Sequence, residues 1–349
     1  MSISEICKTI LPIDKTAAAE SQMRWNSIAK PLHSLGKLED AIIKIAGITG
    51  DATMHLEKKG LITMCADNGV VEEGVTQTGQ EVTAIVTENF LTGAATASVM
   101  CKKAGADIFP VDIGVAVDTS AINRKIAYGT RNFVKEPAMT REQAEKAILV
   151  GIRMVEELKA QGYGILATGE MGIGNTTTSS AVASVLLQKP VEEVTGYGAG
   201  LSSEGFNRKI NAIKKGLALH KPNPEDAIDV LAKMGGFDLA GIAGVFIGGA
   251  LYRVPILIDG FISAVGALCA VKICPEVRNF MLATHVSKEP AAKMIMEALE
   301  LDAPLHCDMC LGEGTGAIAF YPILDLANEV YSKMSTFNDI NVEQYEELK

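Results

Sequence analysis

The chain has 349 residues, 48% of them hydrophobic and only 5% aromatic, with a net charge of −10 and a mean hydropathy of +0.21. That is ample for one large core or two modest ones, and 33 glycines among abundant Ala, Val and Ile suit helices packed closely on a parallel sheet. An acidic chain without a Lys/Arg block is a poor partner for nucleic acid or an anionic membrane, so any phosphate must be held locally by backbone amides and a few cations.

The first 15 residues carry Glu5, Lys8, Asp14 and Lys15 where a secretory signal needs an apolar core, so the expected location is the cytoplasm. The stretch 16–47 reads as helices with polar connections. From Gly60 strands and helices alternate. Residues 61–66 read as a buried strand ending in the turn Asp67-Asn68-Gly69, and 80–98 as one helix; 106–115 read as a second strand. An amphipathic helix is predicted over 141–161, with Glu145, Arg153 and Glu157 on one side and Ala147, Ile148, Ile152 and Val155 on the other.

A short strand over 164–168 runs into a glycine-rich stretch, Gly169-Glu170-Met171-Gly172-Ile173-Gly174-Asn175-Thr176-Thr177-Thr178, with a helix over 179–188. Helices follow over 207–219 and 224–234. The most apolar region, 237–273, is interrupted by Arg253, Pro255 and Asp259, and its uncharged run 239–252 is too short for the roughly 20 residues of a membrane span. It reads as buried helix, buried strand (255–259), buried helix. A strand over 280–285, a last core helix over 316–334 and a loosely held acidic tail from Asn338 complete the pattern. Strands alternating with helices predict an α/β fold with a doubly wound parallel sheet and sites at strand C-terminal ends.

Two segments point to chemistry. In Cys310-Leu311-Gly312-Glu313-Gly314-Thr315-Gly316 a lone carboxylate sits between glycines in an almost uncharged stretch. Such an acid is costly to ionise, which raises its pKa toward the range of a general base, and the glycines let a ligand approach the chain. In 169–178, glycines, an Asn and three Thr before a helix offer amides and hydroxyls to an anion, or simply a turn with a capping Thr. No Lys precedes the Thr run, so this is not a Walker loop. Lys209, after Gly196-Tyr197-Gly198-Ala199-Gly200, is either the matching cation or a surface lysine. Asp67 reads equally as a turn residue or a ribose-side ligand. Seven cysteines, odd in number and mostly in apolar runs, read as reduced thiols; Cys307-x-x-Cys310 reads as plain core thiols, since zinc needs two further suitably spaced ligands. The five histidines form no HxxxH or HxH cluster, and no metal or cofactor is expected.

Taken together, the motifs resemble the nicotinate-nucleotide–dimethylbenzimidazole phosphoribosyltransferases, which activate the lower ligand of cobamides. The resemblance spans the chain: Lys30-Pro31 with Ser34-Leu35-Gly36; Met64-Cys65-Ala66-Asp67-Asn68-Gly69 with Glu73-Gly74-Val75; Gly169-Glu170-Met171-Gly172 with Asn175-Thr176-Thr177; Lys221-Pro222-Asn223-Pro224; Gly235-Gly236-Phe237-Asp238; Asp259-Gly260-Phe261; and Leu311-Gly312-Glu313-Gly314-Thr315-Gly316. It implies transfer of phosphoribose from nicotinate mononucleotide to an aromatic acceptor, with nicotinate released and an α-ribotide formed. It further implies a large Rossmann-like domain (59–324), a small helical domain from both chain ends (1–58 plus 325–349), a dimer whose partner helps complete each site, and no metal. By the same resemblance Glu313 is the general base. Glu170, Gly172, Gly174, Asn175, Thr176, Thr177, Gly198 and Lys209 form the ribose-phosphate site, and Thr78, Val86, Met171, Ser287, Leu311 and Gly312 surround the acceptor.

One departure stands out. Where the benzimidazole enzymes have a Gln eight residues after a small hydroxyl, this chain has Val86 after Thr78. An acceptor with one polar atom, a phenol or p-cresol, is therefore expected to suit the pocket, as in relatives that work as heterodimers of two related chains; with Glu313 present, this chain would be the catalytic partner. A non-catalytic, ligand-binding or supporting subunit is the alternative. A nicotinamide-cofactor oxidoreductase is disfavoured because the first clear strand ends in Asp67-Asn68-Gly69 and not in Gly-x-Gly-x-x-Gly.

Overall fold

A computed structural model describes residues 1–346. Among them six strands form one parallel sheet: β1 Lys59–Ala66, β2 Ala106–Gly114, β3 Ile122–Asn123, β4 Ile165–Met171, β5 Ile256–Ile258 and β6 Met281–Ala283. Their order across the sheet is β3-β2-β1-β4-β5-β6, the Rossmann order, in which the chain grows outward in both directions from β1 and β4. All eight residues of β1 are buried, as expected of a strand covered by helices on both faces. Its register with β4 runs from Lys59↔Ile165 to Cys65↔Met171. That pairing carries the strand three residues beyond the predicted 164–168, so Glu170 belongs to β4 and not to a loop.

Small residues explain how the helical layer closes. Helix Arg141–Ala160, started by a reciprocal Thr140/Gln143 capping box, lies against helix Phe237–Tyr252. A Cβ on Gly151 would sit 2.0 Å from the Gly241 carbonyl oxygen, and one on Gly244 would sit 2.0 Å from that of Ile148. The run 237–273 forms the predicted helix, strand and helix, with Phe261–Ile273 as the second helix. Among the described residues no helix is long and apolar enough to cross a membrane.

The chain ends meet. Trp25, buried in helix Lys15–Ser27, packs at a tilt against Tyr331 of the last long helix, Thr315–Lys333, with ring centres 5.1 Å apart. Arg24 Nε donates to the Tyr331 carbonyl at 3.0 Å, and Ile28 bridges Thr336. The same long helix is pinned to the sheet where the Tyr321 hydroxyl donates to the Gly60 carbonyl at 2.9 Å.

Several sequence expectations are corrected. The helix predicted over 80–98 is two, Glu81–Thr92 and Thr96–Ala104, because Gly93 takes a left-handed φ of 81° and ends the first. The helix predicted from 179 begins at Asn175, so the three threonines lie in its first turns. Strand β3 and helix Ala292–Leu299 were not anticipated. Cys307 and Cys310 are exposed, not core thiols. Their segment is a surface connection, held where Leu305 N–H donates to the Thr284 carbonyl and Lys288 N–H to that of Met309. Of the acidic tail, residues 338–346 are exposed, and 347–349 lie outside the described residues.

Candidate active site

Where the order of the strands reverses, the C-terminal ends of β4, β5 and β6 open onto a cavity of about 710 Å³. Ligands of doubly wound folds bind in such a crevice. One wall is the turn carrying Glu313. Gly312 and Gly314 take φ near 90°, and Glu313 between them is also left-handed at 60°. A non-glycine residue in that conformation costs about 1–3 kcal/mol and persists only where its surroundings hold it. Asp259, just beyond β5, does the holding. Its Oδ2 accepts from Gly314 N–H at 3.1 Å, and its Oδ1 accepts from Gly316 N–H at 2.7 Å and Ala317 N–H at 3.2 Å. One buried carboxylate thus joins β5 to the turn and caps helix Thr315–Lys333, whose dipole favours negative charge there.

The Glu313 side chain is half-buried on the cavity wall. Burial raises its pKa above the ordinary value, the Ala97 N–H that donates to Oε2 at 3.0 Å opposes the shift, and the nearby Asp259 charge adds to it. That amide begins helix Thr96–Ala104, so the carboxyl also sits at a helix N-terminus.

Beside it, Glu170 at the end of β4 is buried and pushed up to about 8, chiefly by burial, with the Asn175 hydrogen bond opposing and the Asp238 and Asp259 charges adding. At neutral pH it holds its proton. Asn175 Nδ2 donates to Glu170 Oε2, and Glu313 N–H reaches Oε1 at 3.4 Å. A Cβ on Gly312 would lie 2.2 Å from that Oε1, so only glycine fits. Both acids are thus pushed up, each chiefly by burial. Asp238, fully buried, is pushed up to about 7, mainly by burial.

At the opposite end, Lys209 in helix Ser203–His220 is buried. Its Nζ donates to Thr176 Oγ1 at 2.9 Å and to the Gly196 carbonyl at 3.1 Å. Burial lowers its pKa to about 8, with Glu289 opposing. Thr176 and Gly198 line the cavity in front of it.

Of the residues expected in the ribose-phosphate site, Glu170, Gly172, Asn175, Thr176 and Gly198 line the cavity, while Gly174, Thr177 and Lys209 lie behind its wall. Gly174 caps helix Asn175–Leu187 at φ 92°. Of the acceptor residues, Val86, Met171, Ser287, Leu311 and Gly312 line it. Thr78 does not. It is exposed, in the turn before helix Glu81–Thr92, so no helical periodicity carries it to the face of Val86. Site residues not singled out from the sequence are Asp259, His285 and Glu289. Asp259 carried a usable signal, an acid immediately after a buried strand; the other two are gathered only by the lip after β6. His285 Nε2 lies 3.7 Å from Asp259 Oδ1.

The fold and cavity define a Rossmann-like α/β protein with a carboxyl-rich, glycine-framed small-molecule site at its switch point. The model of a phosphoribosyltransferase family matches residues 10–342. The chain is 50% identical over 352 residues to the nicotinate-nucleotide–dimethylbenzimidazole phosphoribosyltransferase of Clostridium acetobutylicum, with all of both chains covered. To the enzyme of that name from Acetivibrio thermocellus it is 51% identical, covering 99% of this chain and 97% of the relative. The crystal structure of CobT from Thermus thermophilus superposes with a TM-score of 0.89 at 36% identity, covering 95% of this chain and 100% of that one. The chain belongs to the nicotinate-nucleotide–dimethylbenzimidazole phosphoribosyltransferase family.

Proposed function

We propose that this chain transfers 5-phosphoribose from nicotinate mononucleotide to an aromatic cobamide lower-ligand base, releasing nicotinate and giving an α-ribotide. The observation that carries the reading is Glu313: a carboxyl held in a strained turn on the cavity wall, half-buried and with a raised pKa, next to a second acid that stays neutral. The pyridinium of the nucleotide is already a good leaving group from C1′. What the protein must supply is a fixed phosphate, an acceptor in line, and one proton acceptor. Lys209, through its contact with Thr176, and Gly198 suit the phosphate end; Met171, Val86 and Leu311 form an apolar slot for a ring. With Glu170 protonated, the negative charge that acts on Glu313 is that of Asp259, and Glu313 is the carboxyl placed to take the acceptor's proton as its nitrogen or oxygen attacks C1′. A positioned base contributes about 10²–10⁴-fold. Glu313→Gln is expected to abolish turnover while retaining nucleotide binding by calorimetry; a wild-type rate in that variant would refute the assignment.

A second reading of the acceptor rests on Val86, which lines the cavity and offers no hydrogen bond. Leaving the second nitrogen of a benzimidazole buried and unpaired costs about 1–3 kcal/mol, which favours a phenol or p-cresol. Competing phenol against dimethylbenzimidazole in one reaction decides it, and exclusive use of the benzimidazole removes the phenolic reading. The non-catalytic alternative gains no support, since the relatives carry the names of enzymes. We assign 1–58 with 325–349 to a small helical domain and 59–324 to the catalytic one. Work in the cytoplasm, as a homodimer or a heterodimer with a related chain, completes the proposal.

A further inference from the structure

The seven cysteines are free thiols, and two of them meet far from the catalytic cavity. Cys7 lies in the first helix, Ile3–Thr9, and Cys274 is the residue that ends helix Phe261–Ile273. Their side chains share a hydrogen bond, and both line one surface pocket of about 500 Å³. Cys7 is half-buried and Cys274 only 3% exposed, so Cys7 is the sulfur that a molecule in the pocket reaches first. Among the other five, Cys65, Cys101 and Cys269 are buried, and burial pushes the Cys101 and Cys269 thiols up to about 12. Cys307 and Cys310 are exposed in the connection that leads to the Glu313 turn.

Both sulfurs of the pair sit where the backbone can adjust. Cys274 has left its helix and is extended, with φ −145° and ψ 94°. Helix Ile3–Thr9 has seven residues, too few to be stable alone. Packing of Ile3, Ile6 and Ile10 into the core holds it at the chain's end. Sulfurs in contact at the margins of two elements need only a small movement to reach the bond length of about 2.05 Å. We infer that Cys7 and Cys274 are a reversible disulfide site, oxidised by a low-molecular-weight disulfide that enters the pocket, and that the bond fastens the N-terminal helix to the catalytic core. In the first exchange the Cys7 thiolate attacks one sulfur of the incoming disulfide, whose S–S bond breaks, and the departing thiolate takes up the Cys7 proton. Cys274 then attacks the Cys7 sulfur of the mixed disulfide. The Cys7–Cys274 bond forms, and the second small thiol leaves with the Cys274 proton. Two protein thiols are oxidised while one small disulfide is reduced to two thiols. The closed loop spans most of the chain, the arrangement in which a cross-link restricts the unfolded state most. The other end of helix Phe261–Ile273 carries Phe261 and Ile262, which line the catalytic cavity, so the bond acts on stability and leaves the acceptor site as it is. The inference holds whether or not the phosphoribosyl-transfer reading does.

The test equilibrates the full-length protein with reduced and oxidised glutathione at graded ratios, traps free thiols with iodoacetamide, and maps the digested peptides by mass spectrometry. A peptide pair joined through Cys7 and Cys274 is expected, together with its loss on adding dithiothreitol. The oxidised protein is expected to melt about 5 °C above the reduced one. Cys7→Ser should lose both the joined peptides and the shift, whereas Cys307→Ser should keep both. Should Cys7→Ser not fold, the wild-type peptide map and its reversal by dithiothreitol carry the test. Cys7 and Cys274 both alkylated at the most oxidising ratio, or a Cys7–glutathione adduct that never passes to Cys274, overturns the inference. A cross-linked protein that melts at the temperature of the reduced one overturns it as well.

Discussion

Asp259→Asn probes the joint on which the Glu313 turn depends. The carboxylate receives Gly316 and Ala317 amides on Oδ1 and the Gly314 amide on Oδ2. Asn can keep one oxygen on the first pair, but its NH₂ then faces Gly314 N–H, donor against donor. A buried amide left without an acceptor costs about 1–3 kcal/mol, and losing a partly buried negative charge at a helix N-terminus costs up to about 2 kcal/mol. Together about 3 kcal/mol of stability is expected to disappear. The activity should fall further than stability explains. Glu313, no longer clamped from Gly314, relaxes out of its left-handed backbone, and a shift near 1 Å in a catalytic group lowers kcat by about 10². Denaturant unfolding and steady-state kinetics on the same preparation measure both. A variant within about 0.5 kcal/mol of wild type and with normal kcat would show that the turn holds itself, and the argument from Asp259 would fall.

Glu170 titrates near 4.5 when unfolded and near 8 in the fold. Below that window both states hold the proton; within it only the folded state does, so stability falls as pH rises from 4.5 to 8 and stays lowered above. Glu170→Gln should therefore gain on wild type across the window, by at least about 1 kcal/mol at pH 8, and a pH-independent difference between the two would contradict the assignment. Lys209→Met is expected to raise KM for the nucleotide by about 10-fold with a smaller loss in kcat, since the ammonium behind the wall orients Thr176 toward the phosphate in ground and transition state alike. An unchanged KM would place the phosphate elsewhere.

The alternating strand and helix pattern was legible because its signals are local: the mainly apolar run 61–66 of β1, the capping box at Thr140 and the charge-free run 239–252 each state their own structure. Glu313 stood out for the same reason, a single carboxylate among glycines. Where the reading failed, the cause was non-local. Strand β4 extends through Met171 because β1 lies alongside to pair with it, and propensity among three glycines could not announce that. Cys307 and Cys310 sit in a sequence that looks like core, yet they cross the surface because the segment is tied to the lip after β6. Thr78 is eight residues before Val86, but a helix start intervenes and Thr78 stays in the exposed turn before it.

The amino-acid order by itself thus pointed to an α/β chain, its family resemblance and a carboxylate proposed as the base. Only the folded chain decided how four acids share one cavity. Asp259, Glu289 and Glu313 come from the ends of different strands and turns, brought together where the sheet order reverses. Burial and neighbouring charge, quantities that exist only once distant segments are packed together, leave Glu170 protonated and Asp259 engaged with three amides.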